Sequence, residues 1–368
     1  MRIYKAIHVA LRGTASFLAL IVLLGSVQGC SLQDGREKKV ESPPGSVLLR
    51  GAGATFPSPL YKRWFDVYRE NQPKTIITYD SVGSGEGIRR FIGKNVKEEE
   101  LVDFGASDAA MSDEDIAKVQ NSVVLLPFTA GSVVLAYNLP HMDVDLKLSR
   151  KAYAGIFQGD IKKWNDPAIA KTNPGVKLPN LSIATVVRQD SSGTTYAFTK
   201  HLDAISEKWR AEHGPATLLN WPGNAMRAKG NEGVAARISQ SIGSIGYVSN
   251  EFARKLGLKL AVLENREGNF VKPTEQSCTA ALATAEMPEN LRVFVPDPSG
   301  QDAYPIVTFS WILLYKNYTD AEKAKSIRTL FQWCLLDGQK YAPQLGYVPL
   351  PAKVTDRILA ALNAVGPR

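Results

Sequence analysis

The sequence predicts an α/β protein, and three observations carry that prediction. Short β-prone runs alternate with stretches whose apolar residues recur at helical spacing, and the connections between them are rich in Gly, Ser, Thr and Asp. The composition, 44% apolar and 22% charged over 368 residues, is that of an ordinary globular chain long enough for about two domains. It excludes wholesale disorder, collagen and a multi-span membrane protein. Alternating strands and helices argue for parallel strands, and in such sheets ligands collect beyond the strands' carboxyl ends. No period of about 20–50 residues repeats, which speaks against a solenoid or propeller.

The chain begins with an address. Arg2, Lys5 and Arg12 precede an apolar run from Ala15 to Leu24, followed by Gly25-Ser26-Val27-Gln28-Gly29-Cys30. This is an export signal, since a spanning helix needs about 20 apolar residues. The ending Val27-Gln28-Gly29-Cys30 resembles a bacterial lipobox, which implies cleavage after residue 29, lipidation of Cys30 and an exported, membrane-anchored protein. Ser31 after Cys30 resembles an outer-membrane sorting signal in a two-membrane cell. Loss of residues 1–29 removes three basic and no acidic side chains, so the net charge falls from +8 to +5. Residues 30–46 hold Pro43, Pro44 and Gly45 without apolar periodicity and read as a flexible tether. The remaining basic residues are scattered and make no stripe interleaved with aromatics, so nucleic acid is not an expected partner.

The folded body begins near Val47. Val47-Leu48-Leu49 is a strand that runs into Gly51-Ala52-Gly53-Ala54-Thr55-Phe56-Pro57, after which Leu60, Trp64, Phe65 and Tyr68 mark a helix. The pattern repeats with a strand at Thr75 to Tyr79, a turn at Ser81 to Gly87 and a helix through Ile88, Phe91 and Ile92. A third strand, Val102 to Ala106, leads through Ser107-Asp108 to the capping box Ser112-x-x-Asp115. Further strands are expected at Val123 to Leu126, Ser132 to Tyr137 and Leu181 to Val187, and Ser191-Ser192-Gly193-Thr194 then opens a helix from Thr195 to His201.

The strand ends share a chemistry. A helix N-terminus offers unpaired N–H groups and partial positive charge, and glycine lets a ligand approach the backbone. Thr55-Phe56, Ser84-Gly85 and Ser192-Gly193-Thr194 each open a helix, and Arg188 lies four residues before Ser192. Hydroxyls, amides and one guanidinium fork together suit a tetrahedral oxyanion. Taken singly, each hydroxyl or glycine is equally a cap or turn former, and Arg188 has an obvious ion-pair partner in Asp190. Asp108 is the odd member, because a carboxylate only accepts hydrogen bonds. It suits an oxyanion that still carries a proton and confronts fully deprotonated sulfate with an unpaired acceptor.

Six blocks then carry a resemblance: GAGATFPSPLYKRWFDVY (51–68), VGSGEG (82–87), DFGASDAAMSDEDI (103–116), IFQGDIKKWNDPAI (156–169), VVRQDSSGTTYAF (186–198) and IGYVSNEFA (245–253). In order and spacing they resemble the periplasmic phosphate-binding proteins of phosphate-specific ABC transporters, over nearly the whole chain from residue 47. The resemblance implies a two-lobed substrate-binding fold of type II, with the ligand in the interlobe cleft and two chain crossings, near Phe128 to Ala130 and near Tyr304 to Thr308. One lobe would comprise residues 47–129 and 306–368, the other 130–305. Phosphate would be held by the Thr55 hydroxyl, the Phe56 N–H, Ser84, Arg188, Ser192, the Gly193 N–H and Thr194. Asp108 would accept the phosphate's proton and Asp190 would brace Arg188. The implied protein is a monomer without cofactor or metal that passes phosphate to permease and ATPase subunits.

Departures from the family pattern are few. Lys97 to Leu101 reads as an insertion forming a solvated bulge, Gly85 and Ser191 fill positions where relatives carry Ser and Gly, and Cys278 and Cys334 lie outside the binding pattern. Those two cysteines read as buried thiols in helical segments in preference to a disulfide, and none of the three cysteines has zinc-site spacing. A change of cargo to sulfate or another oxyanion would keep the fold. An exported phosphatase is the remaining alternative, but HExxH, GxxxxGK[ST] and GxSxG are all absent, and His201 reads as a surface residue of the helix after Ser192.

Overall fold

The computed structural model describes residues 43–368 other than Asp143 and Asn224; the expected signal segment, Cys30 and all but the end of the tether lie outside the described residues. Residues 43–368 lie in one compact unit. Eight strands make its frame: β1 (Val47–Gly53), β2 (Thr75–Ser81), β3 (Phe104–Ser107), β4 (Val123–Asn138), β5 (Ala184–Arg188), β6 (Met226–Ala228), β7 (Ser244–Ser249) and β8 (Val307–Tyr315). They lie in the order β2-β1-β3-β8-β4-β7-β5-β6, with the short strands Tyr347–Val348 and Lys259–Leu260 also pairing with β4.

Parallel pairing holds in the two wings, β2-β1-β3 and β7-β5-β6, as the strand–helix alternation predicts. In the centre β8 and β4 run antiparallel to their neighbours and to each other. Nothing local announces this, because β8 arrives from a point in the chain nearly two hundred residues beyond β3 and β4.

The segments expected as two strands around Pro127 are one strand of 16 residues. Proline has no N–H for the ladder, and a bulge absorbs it: Ser310 faces Thr129 while Trp311 faces Pro127, so Phe128 is the extra residue. Up to Ser132 β4 pairs with β8, and from Val133 onward it pairs with β7, so this one strand belongs to both wings.

Aromatic residues fill the core. From helix α1 (Ser58–Asn71), Tyr61 meets Tyr79 edge-on at 5.4 Å and Phe65 meets Phe104 at 5.9 Å. Phe331, from a helix at Ala321–Leu336, reaches Phe104 from elsewhere in the chain at 5.2 Å. Such rings bury about 150–250 Å² each and dominate core energetics. The segment inserted before β3 forms an exposed 3₁₀ turn at Glu98–Glu100, tethered by Arg89 to Glu100 at 3.1 Å. Behind it Asp103 accepts from the Arg50 N–H at 2.8 Å and pairs with Lys323 at 2.7 Å, so the insertion ends before the strand that carries Asp108.

Both described cysteines, Cys278 and Cys334, are free and buried, as expected for core thiols. No described helix is long and apolar enough to cross a membrane.

Candidate functional site

Each predicted ligand follows the carboxyl end of a strand. Thr55 and Phe56 follow β1 and precede α1; Ser84 opens helix α2 (Ser84–Ile92) after β2; Asp108 follows β3; Arg188 ends β5. Ser192, Gly193 and Thr194 start helix α3 (Gly193–Ile205). Gly83, whose φ of 98° only glycine adopts freely, turns β2 into α2. Ser192 caps α3 by accepting the Thr195 N–H at 3.1 Å. The glycine at 193 permits close approach: a Cβ there would lie 2.6 Å from both the Asp108 Cβ and the Ser84 Oγ.

The structure brings these residues together from distant parts of the chain. Ser84 Oγ accepts N–H bonds from Asp108 at 3.2 Å and from Gly193 at 3.0 Å. The Thr194 hydroxyl donates to Asp108 Oδ2 at 3.3 Å. Phe56 is buried, its ring edge-on to Tyr347 at 5.7 Å and its carbonyl accepting from the Tyr347 hydroxyl at 2.6 Å. Thr55, Ser84, Asp108, Arg188, Ser192 and Thr194 are all at most 2% exposed, which is rare for polar groups unless they are paired.

Arg188 is braced as a fork. Its Nε donates to Asp190 Oδ1 at 2.8 Å and its Nη2 to Oδ2, while the Gly230 N–H donates to Asp190 Oδ1 at 3.0 Å. Burial alone would raise the Asp190 pKa, but the guanidinium and this amide outweigh it and hold the carboxylate below its usual range. The Arg188 Nη1 is buried and has no acceptor among the described residues. A buried cationic donor left unpaired is costly, so this nitrogen is the strongest sign of an anionic ligand.

Asp108 has the opposite character. Burial pushes its carboxyl up to about 7, against the lowering influence of the Ser310 hydroxyl at 2.8 Å, the nearby Arg188 charge and Thr194. Below about pH 7 the carboxyl keeps its proton and can donate, and only above it is the main form the acceptor carboxylate that a protonated oxyanion needs. Because Arg188 is already neutralised by Asp190, the charge of an anion here would be met by amides, hydroxyls and helix N-termini.

Three residues of the site went unread in the sequence. Ser310 comes from β8 and Tyr247 from β7, the latter accepting the Arg188 N–H at 3.0 Å and lying 2.7 Å from the Thr195 hydroxyl. Asn231, near the start of helix α4 (Gly230–Gln240), donates through its backbone and Nδ2 to Thr55 Oγ1 at 3.1 and 2.8 Å. Ala228-Lys229-Gly230-Asn231 repeats the strand–glycine–helix grammar of the other segments, and that signal could have found it.

His201 is a correction: it is fully buried, not a surface residue. Its Nε2 lies 2.8 Å from the Tyr153 hydroxyl and its Nδ1 2.6 Å from the Pro296 carbonyl, and burial drives its pKa down to about 4. Among the described residues no cluster of His, Cys, Asp and Glu could hold a metal.

The class of protein follows from fold and site together: this is a two-lobed α/β binding protein, and the model of the PBP superfamily domain matches residues 38–336. The phosphate-binding protein PstS of Pasteurella multocida is 40% identical over 315 residues, covering 85% of this chain and 89% of that one. PstS of Methanocaldococcus jannaschii is 35% identical over 95% of this chain and 94% of its own length. Among solved structures, a high-affinity periplasmic phosphate-binding protein bound with phosphate aligns with a TM-score of 0.71 at 23% identity, over 85% of this chain and 93% of that one. The phosphate-binding protein of Stenotrophomonas maltophilia gives 0.70 at 20% identity, over 86% and 94%. The chain belongs to the PstS family of phosphate-binding proteins.

Proposed function

We propose that the chain binds inorganic phosphate outside the cytoplasmic membrane and delivers it to the permease and ATPase subunits of a phosphate ABC transporter, without chemistry on the ligand. The ligands are the Thr55, Ser84, Ser192 and Thr194 hydroxyls, the Phe56 and Gly193 N–H groups and Arg188; the Gly193 N–H and the Thr194 hydroxyl, which here donate to Ser84 Oγ and Asp108 Oδ2, turn to the anion when it binds. Asp108 accepts the proton of hydrogen phosphate, and Asp190 holds the Arg188 fork. The observation that carries this reading is the buried Arg188 Nη1, which has no acceptor among the described residues. Two lobes, residues 47–129 with 306–368 and residues 130–305, each supply part of the donor set. The mature monomer is held to a membrane through lipidated Cys30, with residues 31–46 as its tether.

Binding without catalysis agrees with the surroundings of Ser192. Its hydroxyl accepts the Thr195 N–H, and His201, the histidine nearest in sequence, has both ring nitrogens engaged by Tyr153 and Pro296. Equilibrium binding of radiolabelled phosphate to protein unfolded, stripped and refolded tests the reading, and no binding at micromolar phosphate would reject it. At pH 8, where Asp108 is mainly the carboxylate that can only accept, sulfate is expected not to compete. Asp108→Asn, which can donate a hydrogen bond, is expected to let sulfate compete; discrimination unchanged in this variant would remove Asp108 from its role.

A further inference from the structure

We propose that Asn231 is a positioning residue that dictates the direction of the Thr55 hydroxyl proton and so makes Thr55 an obligate donor to the bound anion; this rests on the phosphate reading above. A threonine hydroxyl has one proton and two lone pairs. Both acceptor positions of Thr55 Oγ1 are filled from Asn231, by its backbone N–H at 3.1 Å and its Nδ2 at 2.8 Å. The remaining capacity of the oxygen is its own O–H, which can only donate.

The amide is itself fixed. Asn231 Oδ1 accepts the Ser249 N–H at 2.8 Å, so a flip of the side chain would set Nδ2 against that donor. The second Nδ2 hydrogen goes to Thr194 Oγ1 at 3.2 Å, and the Thr194 hydroxyl in turn donates to Asp108 Oδ2. One amide, 1% exposed, thus touches two of the proposed ligands, Thr55 from β1's end and Thr194 from the start of α3. The N-terminus of α4 serves the site twice, since the neighbouring Gly230 N–H braces Asp190. Without the side-chain amide the backbone N–H of residue 231 still fills one acceptor position of Thr55 Oγ1, but the other opens, the hydroxyl proton gains a second orientation, and binding must then order it at an entropic cost that Asn231 otherwise removes in advance.

A double-mutant cycle separates this role from mere packing. Phosphate affinity is measured on refolded wild type, Asn231→Ala, Thr55→Val and the double variant, with thermal unfolding of each in the absence of phosphate. Asn231→Ala and Thr55→Val are each expected to weaken binding by about 10-fold, and the double variant by no more than about twofold beyond Thr55→Val alone. If Asn231→Ala has the same fold-effect in the Thr55→Val background as in the wild type, or none in either, the positioning role is overturned. Should Asn231→Ala fail to fold, the cycle is run with Asn231→Asp. That variant keeps the shape and the acceptor for Ser249, and repulsion of the anion by its charge would add to the Thr55→Val effect whereas action through the hydroxyl would not. Failure of the wild type to bind phosphate overturns the functional reading and this inference with it; wild-type binding with additive variants overturns this inference alone.

Discussion

At the scale of single residues, the site depends on two carboxylates, one buried at Asp108 and one half-buried at Asp190, whose surroundings drive them apart. Asp190 is held ionised by Arg188 and Gly230, whereas Asp108 has hydroxyl partners and a guanidinium that is already spoken for, so desolvation prevails and its carboxyl rises to about 7. That rise has a thermodynamic consequence for the phosphate-free protein. Between about pH 4 and pH 7 the folded chain keeps the Asp108 proton that the unfolded chain has lost, so stability falls as pH rises through this window, by roughly 4 kcal/mol at most. Asp108→Asn removes the titration. Its thermal midpoint is expected to exceed the wild type's at pH 8 by more than at pH 5, and an identical pH profile in the two proteins would contradict the buried, proton-holding carboxyl. The pairing of Arg188 with Asp190 was legible in the sequence because the partners are two residues apart. The shift at Asp108 was not, because Ser310 lies two hundred residues away and burial is a property of the fold.

Among the elements, what the sequence revealed was local. The strand–turn–helix units at 47–71 and 75–92 were readable from a short apolar run, a glycine-rich turn and helical spacing, and Ser112 does accept the Asp115 N–H as its capping box requires. What stayed hidden depended on partners: the merger of two runs into β4 through a bulge at Phe128, the antiparallel insertion of β8 and the burial of His201. Closeness at the start of α3 is likewise invisible in a sequence, where Gly193 is only one glycine of a turn. In the structure an added Cβ would meet Ser84 Oγ, Asp108 Cβ and, at 2.7 Å, the rigid Ala109 backbone nitrogen. Gly193→Ala is therefore expected to wedge α3 away from the Ser84 and Asp108 turns. Overpacking of this kind costs about 1–3 kcal/mol, which corresponds to roughly 5- to 150-fold weaker phosphate binding. Because alanine favours a helix, the melting temperature of the phosphate-free protein should not fall in proportion; an affinity within twofold of wild type would show that the turns need not approach so closely.

For the whole molecule, the proposed ligands are divided between the proposed lobes: Thr55, Phe56, Ser84 and Asp108 in one, Arg188, Ser192, Gly193 and Thr194 in the other. With that division neither set alone satisfies the acceptors of a tetrahedral anion, so phosphate would gain more from a closed arrangement than from an open one, and we propose that this difference drives closure. Besides its two proposed crossings, the chain carries a further tie between the proposed lobes. Residues 285–296 hold no helix or strand, and their anchors lie in both parts of the sequence. Arg357 donates to the Met287 and Pro288 carbonyls at 2.6 Å each, and Trp311 Nε1 donates to the Leu291 carbonyl at 2.8 Å. Arg292 reaches the Met111 carbonyl at 3.1 Å and Asp113 at 2.7 Å, while the Pro296 carbonyl faces His201. Parting of the proposed lobes would have to stretch or release this segment, and we propose that it limits how far they part. Small-angle scattering of refolded protein is expected to show a smaller radius of gyration with phosphate than without. Arg292→Ala is expected to enlarge the phosphate-free form and leave the phosphate-bound form unchanged, because the anion's own contacts hold the closed state. No compaction in the wild type would reject ligand-driven closure, and compaction of equal size in Arg292→Ala would leave closure standing while removing the tie as its limit.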